Sequence, residues 1–162
     1  MHSNAQHLGV LLLERNYRIS VAESLTCGHL QSLIGSAGGA SSYFVGGITA
    51  YNIDQKVALL GIERAHAAAV NCVSGEVAMQ MVQGVCRLFG TDVGLATTGY
   101  ADGVVTPFSY VGVKVREQMF NLRVEGSGRS RVSMQRHVAA QAVNALVRAL
   151  EEDCFQVNRS TE

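Results

Sequence analysis

Four stretches of the chain carry residue types and spacings suited to chemistry. The first runs Ala22, Glu23, Ser24, Leu25, Thr26, Cys27 and Gly28, where an extended pattern ends in small polar residues and turns into a helical one. Such a turn presents hydroxyls and the first amide N–H groups of a helix at the carboxyl edge of a sheet, which is an anion site. Ser24 or Thr26 acting as a plain helix cap is the competing reading. The second stretch ends in Tyr51, Asn52, Ile53, Asp54, Gln55 and Lys56. If Asp54 opens a helix, Tyr51 and Lys56 converge, and a partly desolvated lysine beside a serine hydroxyl serves as a general base for acyl transfer. A surface lysine and a half-buried tyrosine are the alternative. In the third, Thr98 and Gly99 lead into Tyr100, Ala101, Asp102 and Gly103, either a loop whose amides approach an oxyanion or an ordinary turn. The fourth places Arg129, Arg131 and Arg136 just after Gly126 and Gly128. Guanidinium groups there suit bidentate contacts to phosphate or carboxylate, or simply a solvated helix start.

Alternating helical and extended patterns with short connections must position these groups, which indicates an α/β domain. Leu8, Leu11 and Leu12 share a helical face before Asn16, and residues 18–22 read as extended. Residues 26–36 return to helical spacing through Leu30, Leu33 and Ile34, and a small-residue loop follows at 35–42. Residues 43–51 read as a strand with a bulge or close backbone approach at Gly46 and Gly47. Residues 55–60 give a short helix closed by Gly61. Ser74 is the expected cap of a helix carrying Ala78, Met81, Val82, Val85 and Phe89 on one face, with Glu76 in its first turn. Residues 92–98 read as a buried strand, 111–115 with 119–124 as a hairpin, and Val138 to Leu150 as one face of a long final helix. The expectation is one domain over residues 1–162, with its core at about 8–150 and frayed ends.

Composition narrows the function classes. At 162 residues and 48% hydrophobic content, the chain is long enough to bury about two thirds of its unfolded surface in one core. Thirteen basic and thirteen acidic residues cancel, which removes the electrostatic footprint of a nucleic-acid binder and makes self-association into a homodimer or higher homo-oligomer easier. No apolar run reaches the length of about 18 to 20 residues that spans a bilayer, and residues 1–7 lack a secretory signal core, so a cytoplasmic protein with no membrane partner is expected. Cys27, Cys72, Cys86 and Cys154 are too widely spaced for a zinc knuckle and read as buried reduced thiols. The five histidines have no metal-ligand spacing, so no metal is expected.

Taken in order, these stretches resemble the C-terminal domain of the CinA (competence/damage-inducible) family, whose stand-alone members include nicotinamide mononucleotide deamidases. The family reads A-E-S-C-T-G-G in the first stretch, has G-S-S in the small-residue loop, and continues with T-Y-S-N-E-A-K, A-V-S-E, S/T-G-I-A-G-P-x-G-G and G-D-R-x-x-V-R. The match extends from about Leu8 to Leu150. Ser24 and Thr26 keep the first motif's hydroxyls, and Ser41 falls at the second serine of the G-S-S loop. Tyr51 and Lys56 keep their spacing, and Thr98 with Gly99 opens the glycine loop. Arg131, or Arg129 in the other register, takes the arginine of G-D-R.

The resemblance implies a three-layer α/β/α sandwich with a mixed sheet, and amide hydrolysis without metal or redox cofactor. A serine hydroxyl, Ser41 or Ser24, assisted by Tyr51 and Lys56, would attack the carboxamide of a pyridine nucleotide. Thr26, Gly28, Thr98 and Gly99 would hold substrate or oxyanion, and the arginine a phosphate. The chain departs from the pattern at Leu25, Cys27, Ile53, Gly75 and Gln135, and above all in the loop after Gly99. Asp102 there puts a carboxylate where the family has glycine, which is expected to repel an anionic substrate. Two functional classes follow. One is an amidohydrolase that converts nicotinamide mononucleotide to the acid plus ammonia, and the other a catalytically silent scaffold that binds a nucleotide or a partner.

Overall fold

The computed structural model describes the backbone of residues 4–159 and side chains as far as Glu152. Helix α1 (Asn4–Glu14) buries the Leu8, Leu11 and Leu12 face and leads into strand β1 (Ile19–Glu23), which is buried along its whole length. Helix α2 (His29–Gly35) and a single 3-10 turn (Ala40–Ser42) precede β2 (Phe44–Thr49). Three helices follow: α3 (Ile53–Leu60), α4 (Arg64–Ala69) and α5 (Gly75–Phe89). Strands β3 (Val93–Tyr100), β4 (Phe108–Val115) and β5 (Gln118–Glu125) complete the sheet, and α6 (Arg131–Arg159) is the last element. The strand order is β2-β1-β3-β4-β5. The first three run parallel, and β4 and β5 are antiparallel additions.

The expected three layers are present. Ile19, Val21, Val93 and Leu95 point to one face, where they pack with α1, α2 and α6. The alternate residues Ala22 and Ala96 meet Leu60, Val77, Met81 and Val82 of α3 and α5 on the other face. Strand periodicity therefore gives two cores from one sheet. Among the described residues, no helix is long and apolar enough to cross a membrane.

Local differences from the sequence reading have identifiable causes. Helix α2 starts at His29 and not at Thr26, because Cys27 (φ 44°) and Gly28 (φ 96°) hold left-handed backbone just before it. The cap of α3 is Asn52, whose side-chain oxygen accepts from the Gln55 amide at 2.9 Å, so Asp54 lies inside the helix. Helix α4 was not anticipated. It is a short alanine-rich segment without amphipathic periodicity, and the Glu63 carboxylate caps it. In β2 the register slips between Phe44 and Gly46, and a Cβ on Gly47 would stand 2.6 Å from Val21 Cγ2. The final helix continues beyond Leu150 to Arg159, into the stretch expected to fray, while residues 1–3 and 160–162 lie outside the described residues.

Gly84 sets how closely α5 approaches α3. A Cβ there would lie 2.1 Å from the Leu60 carbonyl oxygen, which is backbone and cannot rotate away. Overpacking of this kind costs up to about 3 kcal/mol, more than the ~1 kcal/mol that alanine gains over glycine in a helix. Gly84→Ala is therefore expected to lower the melting temperature by roughly 4–8 °C in a thermal melt.

Candidate functional site

Strands β1, β2 and β3 end on the same edge of the sheet, and the connections from β1 and β2 pass over opposite faces. Open α/β sheets place ligand crevices at such points. A cleft of about 540 Å³ opens there, lined by Ser24, Tyr51, Lys56, Asn71, Cys72, Thr98, Gly99, Asp102 and Arg131 among others. Its size is that of a small-molecule site.

Lys56 projects from the first half of α3 and is 1% exposed. Its ammonium donates to Ser24 Oγ at 2.9 Å, to the Ala50 carbonyl at 2.7 Å and to the Tyr51 carbonyl at 3.1 Å. Among the described residues no ion pair includes Lys56. Burial pushes its pKa below the ordinary 10.5, opposed in part by Cys72. A neutral amine has two N–H groups and one lone pair. The two carbonyls can take only N–H donors, which leaves the lone pair for the one partner able to donate, the Ser24 hydroxyl.

Glu23 closes the turn that carries Ser24. Its fully buried carboxylate accepts from the Gly28 and Leu30 amides at 3.0 Å each and from the Gln31 amide at 2.9 Å. The amides at the start of α2, expected from sequence to hold an anion, are thus satisfied by the protein's own carboxylate. Gly28 is a turn residue whose N–H is already used. Thr26 is also structural: its hydroxyl lies 2.8 Å from that of Thr97, fully buried between β1 and β3. Thr98 lines the cleft, but its hydroxyl donates to the Cys72 carbonyl at 2.6 Å.

At the mouth, Arg131 is the first residue of α6 and pairs through Nη1 with Asp102, while Nη2 donates to the Tyr51 hydroxyl at 2.9 Å. The Tyr51 ring therefore serves the rim, and only the backbone carbonyl of this residue reaches Lys56. Of the two arginine registers, Arg131 lines the cleft and Arg129 lies exposed in the preceding turn. Asp102 was expected to act by repulsion; it also neutralises the one cation at the rim.

Ser41 is not brought to this site. It sits exposed in the 3-10 turn before β2, at the amino end of that strand, whereas the cleft gathers at the carboxyl ends. Six strand residues, about 20 Å of extended chain, separate the two ends. The cysteines are not all buried: Cys27 is exposed, Cys72 is half-buried in the cleft wall and Cys86 is buried, while the Cys154 side chain lies outside the described residues. Asn71 and Cys72, missed by sequence reasoning, line the cleft in consecutive left-handed conformations with φ of 50° and 60°. Strained backbone of this sort clusters at functional sites. Asparagine tolerates it, but nothing in the sequence marks a left-handed cysteine.

Comparison with known proteins agrees with this fold. The family model for the CinA C-terminal domain matches residues 1–150. A CinA-like protein of Rippkaea orientalis is 44% identical over 97 residues, which is 60% of this chain and 23% of that protein. A protein of Moorella thermoacetica, named as competence-damage inducible, is 34% identical over 152 residues, 90% of this chain and 36% of that one. The chain thus spans roughly a quarter to a third of the length of these curated relatives. Solved structures share the fold. The competence or damage-inducible protein from Enterobacter asburiae superposes with a TM-score of 0.86 at 17% identity, covering 93% of this chain and 99% of that one. A CinA superfamily protein from Klebsiella pneumoniae gives 0.85 at 21% identity, with 92% and 96% covered. With a family model matched over nearly its whole length, this chain belongs to the CinA C-terminal domain family.

Proposed function

We propose that the chain is an amide hydrolase in which Ser24 is the nucleophile and Lys56 the general base, and that its substrate is a ribosylated pyridine carboxamide of the nicotinamide class, the mononucleotide or a related amide. The observation that carries this reading is the 2.9 Å contact between Ser24 Oγ and a buried lysine whose other two contacts are carbonyls. Neutral Lys56 takes the Ser24 proton as Oγ bonds to the carboxamide carbon. The same proton passes to the departing nitrogen, the C–N bond breaks and ammonia leaves an ester on Ser24. Water then attacks that ester, gives its proton to Lys56, and the carboxylic acid is released as Ser24 recovers its hydrogen. The pyridine carboxamide is inferred from the family's motifs and from a cleft of about 540 Å³ walled in part by Tyr51 and Tyr100.

Ammonia release from nicotinamide mononucleotide by purified protein tests the reading. Lys56 is active only when neutral, so the rate is expected to rise with pH along a limb whose midpoint lies below 10.5, the ordinary lysine value. Stability should follow the same sign. Between the lowered pKa and 10.5 the unfolded chain holds a proton that the folded chain has released, so folding becomes more favourable as pH rises through that window. No ammonia at any pH from the mononucleotide or from its phosphate-free nucleoside would refute the hydrolase, and a thermal shift by either compound in its absence would leave a binding scaffold.

A further inference from the structure

We propose that Asp102, by occupying the Arg131 guanidinium at the mouth of the cleft, makes this site select carboxamides that carry no phosphate: the nucleoside rather than the nucleotide. The substrate class rests on the amide-hydrolase reading above, but the selectivity can be read from binding alone.

Three acidic or basic side chains line the cleft: Lys56, Asp102 and Arg131. When Lys56 is neutral, as its role as base requires, the remaining two cancel. Both terminal nitrogens of Arg131 already donate, one to the Asp102 carboxylate and the other to the Tyr51 hydroxyl, and the carboxylate offsets the guanidinium charge, so the attraction this arginine offers an incoming anion is reduced. Asp102 is held in place from behind. Ala101 is buried in the core shared with α6, and Tyr100 accepts from Asn71 Nδ2 at 3.2 Å, which anchors the chain just ahead of the carboxylate. A phosphate either shares the guanidinium with Asp102 or displaces it, and in both cases lies beside a like-charged carboxylate that cannot move far. An uncharged or cationic group, such as a ribosylated pyridinium ring, meets no such cost, and a carboxylate at the rim attracts it.

The test compares nicotinamide mononucleotide with the nucleoside that lacks only its phosphate, by calorimetric titration and by ammonia release, on the wild-type protein, Asp102→Ala and Asp102→Asn. The wild type is expected to bind the nucleoside at least about tenfold more tightly. Asp102→Ala frees Arg131 and is expected to tighten mononucleotide binding about tenfold or more while weakening binding of the cationic nucleoside. Asp102→Asn keeps an acceptor for the guanidinium but no charge, and should fall between them. Melting curves confirm that the variants are folded. The proposal is overturned if the wild type prefers the mononucleotide, if the ratio is the same in all three proteins, or if the nucleoside fails to bind. The expected binding ratio without ammonia from either compound would refute the hydrolase and leave the selectivity standing.

Discussion

Lys56→Met is expected to abolish ammonia release while leaving the protein folded. The side chain is 1% exposed, so the methionine, of similar length and without charge, occupies the same buried volume. The wild-type ammonium is removed from water with two carbonyls and a hydroxyl as its partners and no carboxylate to offset its charge. Relief of that desolvated charge offsets the cost of leaving the Ala50 and Tyr51 carbonyls without their lysine donor, so the variant stays folded. Activity behaves oppositely. Without a base, the Ser24 hydroxyl keeps its proton, and a rate loss of about 10³-fold or more is expected. Ser24→Ala should fall to the same floor, and the double variant no further, because the pair acts as one unit. Side-by-side melts and ammonia assays check both halves. A Lys56→Met protein that unfolds would make the lysine structural, and one that retains turnover would remove it from the mechanism.

Glu23→Ala is expected to produce the largest loss of stability of any single substitution in the site. Three backbone amides, of Gly28, Leu30 and Gln31, depend on this one fully buried carboxylate. Hydrogen bonds to charged groups contribute about 1.5–3 kcal/mol each but are not additive, and of the three orphaned amides that of Leu30 is buried and those of Gly28 and Gln31 are part-buried. A loss of roughly 4 kcal/mol follows, which corresponds to a fall of about 8–16 °C in Tm. Glu23→Gln should recover only part, since its amide nitrogen turns a donor toward backbone donors. Chemical denaturation of the three proteins reads the order wild type, Gln, Ala. The turn that these bonds fix also carries Ser24, so activity in the folded fraction should drop as well. Equal stability of Glu23→Ala and wild type would contradict this account of the turn.

Periodicity made the helices and strands legible where a single apolar face or a buried run decided them: α1, α5 with its Ser74 cap, β3, and the β4–β5 hairpin. Spacing alone also hinted that Tyr51 and Lys56 converge near a serine, because a helix that begins just after a strand brings such residues back over the sheet edge. The choice between Ser24 and Ser41 was not legible. It depends on which end of β2 faces the cleft, which is a property of topology and not of local pattern. Glu23 was overlooked for a related reason. A carboxylate beside a helix start reads as a surface charge until the strand is seen to be buried on both faces. The pairing of Asp102 with Arg131 joins a loop to the start of α6, far apart in the chain, so the negative charge was legible in the sequence but not the cation that it neutralises.

The most direct test of the central claim is the site of covalent labelling by diisopropyl fluorophosphate, an uncharged reagent that phosphorylates activated serine hydroxyls, with loss of fluoride, whatever the natural substrate. Peptide mapping by mass spectrometry is expected to find a single modification, on Ser24, with its rate rising with pH and lost in Lys56→Met. Labelling of Ser41, or a Ser24 that reacts equally fast without Lys56, would contradict a serine activated by that lysine.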